Sequence, residues 1–136
     1  MKLMDTERMI VCACEDDRLL SSADNRLLPV VREAGLSEDF LSAGLKAGKY
    51  CAREVRLDGR PLYVLYFSTG AGTCYFVAGA AVSDEQRPDL LFDAFEIIAG
   101  ENGCKRIVIN TKRGGFVRLA VRRNYAARGV ALEKVL

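Results

Sequence analysis

Six basic side chains, Lys112, Arg113, Arg118, Arg122, Arg123 and Arg128, crowd one stretch near the C-terminus. Guanidinium and ammonium groups at that density can grip phosphates, with binding that falls steeply as salt rises. Only Phe116 and Tyr125 lie among them, so no interleaved aromatic platform for single-stranded nucleic acid is spelled out. Arg118 and Arg122 are four residues apart and share a helix face, from which Arg123 begins to wrap round; a solvated cationic face is the alternative reading. Positive charge is concentrated here. Residues 105–136 hold nine of the 20 Lys and Arg but one of the 18 Asp and Glu, leaving eleven basic and seventeen acidic groups upstream. An anion-binding end, an acidic partner, or pairing within the same domain would each account for that split.

Thiols are the other reactive groups. Cys12 and Cys14 share a face if their segment is extended, yet a metal pair there would want further ligands and the chain has no histidine. Five cysteines fit neither a disulfide framework nor paired zinc spacing, and read as buried reduced thiols. Without histidine, Ser/His/Asp and Cys/His catalysis are excluded.

These groups need a scaffold. Met9 to Cys14 suits a buried strand; the polar EDDRLLSSADN reads as a turn, with Asp24 or Asn25 capping a helix over 26–33 that stops at Gly35. Ser37 caps a second short helix carrying Phe40, Leu41 and Leu45. From Tyr50 the period becomes two: a strand to Leu57, an Asp58–Gly59 hairpin, a strand over 62–68, a turn at 70–72, and a strand over 73–82 whose Gly79 marks a bulge or a close backbone approach. Pro88 opens a helix to Ala99 with Leu91, Phe92, Phe95 and Ile98 as its apolar stripe. The tail reads as a strand (106–111), a Gly114–Gly115 turn, a basic helix (116–127) capped at Gly129, and a last strand (131–136). The length fits one α/β (α+β) domain over 1–136, with a mixed, mostly antiparallel twisted sheet flanked by helices. Acids near the N-terminus, where a signal peptide is basic, read as a cytoplasmic protein.

This order, and the spelling GENGCKRIVINTKRGGFVRLAVRRNYAARGVALEKVL, resembles the GCN5-related N-acetyltransferases (GNAT), especially the small divergent members in bacteriophage and prophage genomes. Tyr125 followed by Gly129 and Val130 matches the family's Tyr-x-x-x-Gly-aromatic spacing, with Val in the aromatic place. The resemblance implies Tyr125 as the acid that protonates a departing thiolate, and Glu85, with Asp84 beside it, as the base for an amine. It implies that Val82, Gln86, Arg87 and Asp89 line an acetyl-coenzyme A site. The family's Gln/Arg-x-x-Gly-x-Gly/Ala loop, whose amides hold the pyrophosphate, is here Gln86-Arg87-Pro88-Asp89-Leu90-Leu91. Both glycines are lost, Pro88 lacks an amide donor, and Asp89 brings negative charge. The expectation is therefore a catalytically degenerate GNAT-like protein with no cofactor, working through contacts with a virion or host protein, with homodimerisation through an edge strand. The alternative is an N-acetyltransferase using acetyl-CoA through an altered loop; a third is nucleic-acid binding through the basic helix.

Overall fold

A computed structural model describes residues 8–110, 114–128 and 131–136. Among them seven strands and four helices form a single-domain α/β structure. The elements are β1 (Met9–Ala13), α1 (Asp17–Glu33), α2 (Phe40–Lys46), β2 (Cys51–Leu57), β3 (Arg60–Gly70), β4 (Thr73–Ala81), α3 (Pro88–Glu101), β5 (Arg106–Asn110), α4 (Gly114–Arg122), β6 (Ala126–Arg128) and β7 (Ala131–Val135). The sheet runs β1-β2-β3-β4-β5-β7-β6, antiparallel throughout except where β4 and β5 lie parallel across the α3 crossover.

The expected β1 to β4 are present, and Asp58 and Gly59 both take positive φ, as a two-residue hairpin turn demands. α1 departs from expectation. It starts at Asp17 and runs through the supposed turn, capped by Asp16, whose carboxylate accepts from the amides of Arg18 and Leu19. Leu20, Ala23, Leu27 and Val31 face the sheet at helical spacing, so the polar residues are its outer side. Ser37 does not cap α2; Asp39 is the residue before it, and the Ser37 hydroxyl donates to its carboxylate. α4 stops five residues early. Asn124 takes φ +69, and the amides of Asn124 and Tyr125 bond back to the carbonyls of Val121 and Ala120, a terminus that asparagine tolerates almost as well as glycine. The chain released there forms β6, which the sequence reading lacked. The proposed cap Gly129, and Thr111, Lys112, Arg113 and Val130, lie outside the described residues.

Two cores result. On one face α1 and α2 cover Val64, Tyr66 and Ala80. On the other α3 and α4 cover Leu65, Phe67, Cys74, Phe76, Ile107, Ile109 and Leu132, with Phe92, Phe95 and Phe116 in mutual ring contact. Each such fully buried large side chain contributes about 1.5–3 kcal/mol. No helix among the described residues is long and apolar enough to cross a membrane.

Candidate active site

The break in this sheet lies between β4 and β5. Their parallel pairing covers Thr73 to Phe76 against Arg106 to Ile109 and then ends, while β4 continues to Ala81 against β3. A bulge accompanies the separation: Phe67 pairs with Phe76 and Tyr66 with Ala78, so Val77 is extra. It reverses the alternation. Phe76 belongs to the α3 core, Ala78 to the α1 core, and Val77 between them is 38% exposed. Gly79 is neither the bulge nor a close approach of backbone: a Cβ there would meet a side-chain atom, Leu65 Cδ2, at 3.0 Å. Val77 and Gly79 are thus open in a strand with neighbours on both sides, and among the described residues no strand pairs with the outer edge of β4 beyond Phe76.

That edge leads into α3. The Val82 amide donates to the Leu62 carbonyl at 2.9 Å, and Gln86 is exposed. The Glu85 amide donates to the Ser83 hydroxyl, while its carboxylate pairs with Arg60 at 3.1 Å. Asp84 is exposed. The Arg87 amide donates to the Tyr63 hydroxyl at 2.8 Å. Arg87 holds Asp89 through two nitrogens, Nε to Oδ1 at 3.2 Å and Nη2 to Oδ2 at 3.0 Å. These hydrogen bonds from the Arg87 guanidinium are the main influence that holds the Asp89 carboxyl below the usual carboxylate range. The N-terminus of α3 therefore carries its own anion, paired to its own cation.

Tyr125 lies beneath α3 beside Phe92, with the Lys134 ammonium 5.3 Å from its ring centre. It is only 3% exposed, and its hydroxyl has no hydrogen-bond partner among the described residues. Burial raises its pKa, followed by the negative charge of Glu96, so the phenol stays protonated across the neutral range. An unpaired buried hydroxyl costs about 1–3 kcal/mol. The sequence reading put Tyr125 inside a helix running to Ala127, whereas it lies between the end of α4 and β6.

The basic stretch divides. Arg123 binds Asp93 at 2.5 Å and Glu96 at 3.1 Å on α3, and Glu96 also holds Lys134 at 3.0 Å. Arg106 and Arg128 share Glu133. Among the described residues Arg118 and Arg122 have no such partner and are exposed on α4. Arg122 lines a shallow groove of about 270 Å³ between α3 and α4 with Pro88, Asp89, Phe92, Leu119 and Arg123. The thiols are free; Cys14, Cys74 and Cys104 are buried, with burial pushing Cys74 up to about 12, whereas Cys51 is exposed, against expectation. No group able to hold a metal ion occurs among the described residues.

No family model matches the chain, and no curated protein matches its sequence. Solved structures do match. A GNAT family acetyltransferase from Brucella melitensis in complex with acetyl-CoA is 14% identical, covering 95% of this chain and 88% of that one, at a TM-score of 0.60. An aminoglycoside 6'-acetyltransferase type Ii is 11% identical, with 93% and 96% covered and a TM-score of 0.67. A Bacillus subtilis acetyltransferase in complex with CoA is 18% identical, with 96% and 99% covered and a TM-score of 0.62. The expectation of a degenerate scaffold acting through protein contacts and needing no cofactor is corrected by these neighbours, which are acetyltransferases solved in several cases with acetyl-CoA or CoA. At these identities the likeness speaks to architecture, and in architecture this chain has the GNAT acetyltransferase fold.

Proposed function

We propose that the protein is an N-acyltransferase that takes an acetyl group from a pantetheine thioester, acetyl-CoA being the simplest donor, and delivers it to an amine. The observation that carries this reading is the open edge of β4. From Val77 to Ala81 it offers backbone N–H and C=O groups to a ligand, and an extended arm with two amides pairs with such an edge as a strand would. The bulge at Val77 turns successive backbone groups out of register, where an N–H can polarise an acyl carbonyl. The lack of a side chain at Gly79 leaves space for the arm.

When bound, acetyl-CoA supplies a thioester whose acyl carbon an amine attacks, the carbon–sulfur bond breaking as the carbon–nitrogen bond forms. Tyr125 is the proposed donor of the proton that the departing sulfur needs: its phenol is protonated at neutral pH and has no competing partner. Glu85, held by Arg60 just beyond β4, is the proposed acceptor of the amine's proton, directly or through water. The phosphate end fits less well, since Pro88 has no amide to give and Asp89 occupies the start of α3.

Calorimetry with acetyl-CoA, paired with acetyl transfer to an amine panel, tests the reading. Wild type should bind and transfer, and Gly79→Val should weaken binding about ten-fold or more, because its side chain fills the cleft against Leu65. No binding at millimolar donor, or a folded Gly79→Val that binds like wild type, would sink it.

A further inference from the structure

The two ends of the cleft disagree about the donor. The β4 edge suits a pantetheine arm, but the start of α3 does not suit a diphosphate. Asp89 occupies the first turn, Pro88 has no amide to give, the Arg87 amide is engaged by Tyr63, and the Arg87 guanidinium is itself held by Asp89. A pantetheine arm has a second common form in which it ends in a single phosphodiester on a serine of a protein. That form requires no diphosphate cradle. It requires a surface for the protein.

Such a surface lies on α4. Arg118 and Arg122, one turn apart, are exposed and carry no ion pair among the described residues, although Arg106, Arg123 and Arg128 around them are all paired. Arg122 lines the groove that opens beside Asp89, and Arg118 lies one turn earlier on the same helix. Long exposed guanidiniums with no internal partner are complementary to carboxylates on another molecule.

Building on the proposed acyl transfer, we propose that the preferred donor is an acidic carrier protein bearing its acyl group on a serine-linked phosphopantetheine, docked on Arg118 and Arg122. The carrier's carbon–sulfur bond breaks, the acyl carbon bonds to the amine nitrogen, and the thiol stays on the carrier.

The test compares four probes by calorimetry: an acetyl-loaded acyl-carrier protein, its apo form without the arm, acetyl-CoA, and 3'-dephospho-acetyl-CoA. The loaded carrier is expected to bind about ten-fold or more tighter than acetyl-CoA and than the apo carrier. The double variant Arg118→Glu/Arg122→Glu should weaken the carrier by about ten-fold or more and leave acetyl-CoA nearly unchanged. Acetyl-CoA binding as tightly as the carrier overturns the inference while leaving acyl transfer standing. So does a charge reversal that weakens acetyl-CoA but spares its 3'-dephospho form, since Arg122 would then be a 3'-phosphate contact. If neither loaded carrier nor acetyl-CoA binds, the pantetheine reading itself fails, and circular dichroism of each variant separates that from misfolding.

Discussion

Asp89→Asn should make the protein less stable and a better binder of acetyl-CoA. The carboxylate sits at the start of α3, in two bonds to Arg87. A phosphate arriving there must lie beside it or displace it. Two unit charges 4 Å apart repel by about 1 kcal/mol in water and about 4 at an effective dielectric of 20. The Asp89 side chain is 57% exposed, so the lower part of that range applies, about 1–2 kcal/mol, or roughly five- to thirty-fold in affinity. The same substitution removes an anion from a helix N-terminus, costing about 0.3–1 kcal/mol. Asparagine keeps the size while removing the negative charge beside Arg87. Titration of both proteins with acetyl-CoA at low and high salt, with melting curves alongside, reads both effects. The affinity gain should shrink as salt screens it. The sign with pH is fixed as well. Because the folded pKa is lowered, the stabilisation from Asp89 is complete above the ordinary carboxylate value and lost as pH falls through the folded one, so the difference between the proteins should be flat from about pH 5 to 9. Equal or weaker binding by the asparagine variant would refute the reasoning, since Asp89 would then not share its place with phosphate.

Tyr125→Phe should raise stability by up to about 1 kcal/mol, because it removes an unsatisfied buried hydroxyl, and lower transfer by about 10²–10⁴ if that hydroxyl is the acid; equal loss of both would mark it as structural. Gly44→Ala should cost about 1–3 kcal/mol in urea melts, because its Cβ would lie 2.1 Å from the Tyr50 ring, whose hydroxyl donates to the Phe40 carbonyl; an unchanged midpoint would show that the ring swings aside freely. Burial raises the pKa of Tyr63, Tyr66 and Tyr125, so their stabilising contribution is complete below about pH 10 and lost as pH rises further. Alkaline titration followed by tyrosinate absorbance should show those three ionising only with unfolding, and ionisation of all five tyrosines before unfolding would contradict it.

What the sequence disclosed was whatever local chemistry determines. The Asp58–Gly59 turn, the Pro88 start of α3, the alternation of β2 and the continuous apolar run of β3 are each written in a few adjacent residues. The first half of α1 was hidden because its outward face, including Asp17, Ser21, Ser22 and Asn25, has the composition of a turn. The helix becomes evident only when Leu20, Ala23 and Leu27 are read as one buried stripe. The Val77 bulge has no side-chain signature; it is a mismatch in count between β3 and β4, whereas Gly79 drew attention by its residue type. Asp89 was legible as a misplaced charge, but the two-nitrogen grip of Arg87 was not. Nor was the pairing of Arg123 with Asp93 and Glu96, which depends on α3 and α4 lying side by side. The unpaired state of Arg118 and Arg122 emerges only after those partners are taken.

The seam in the sheet has a mechanical side. β1 to β4 and β5 to β7 are two half-sheets joined by four residue pairs, Thr73 to Phe76 with Arg106 to Ile109, and by the helices that cross behind them. Short seams are where native proteins open first, so amides of β5 and β7 should exchange through a sub-global opening that spares β2 and β3. A ligand lying along β4 would act as a splice between the halves, and its binding energy would appear as slowed exchange in strands it never touches, by RT ln(1 + [L]/Kd).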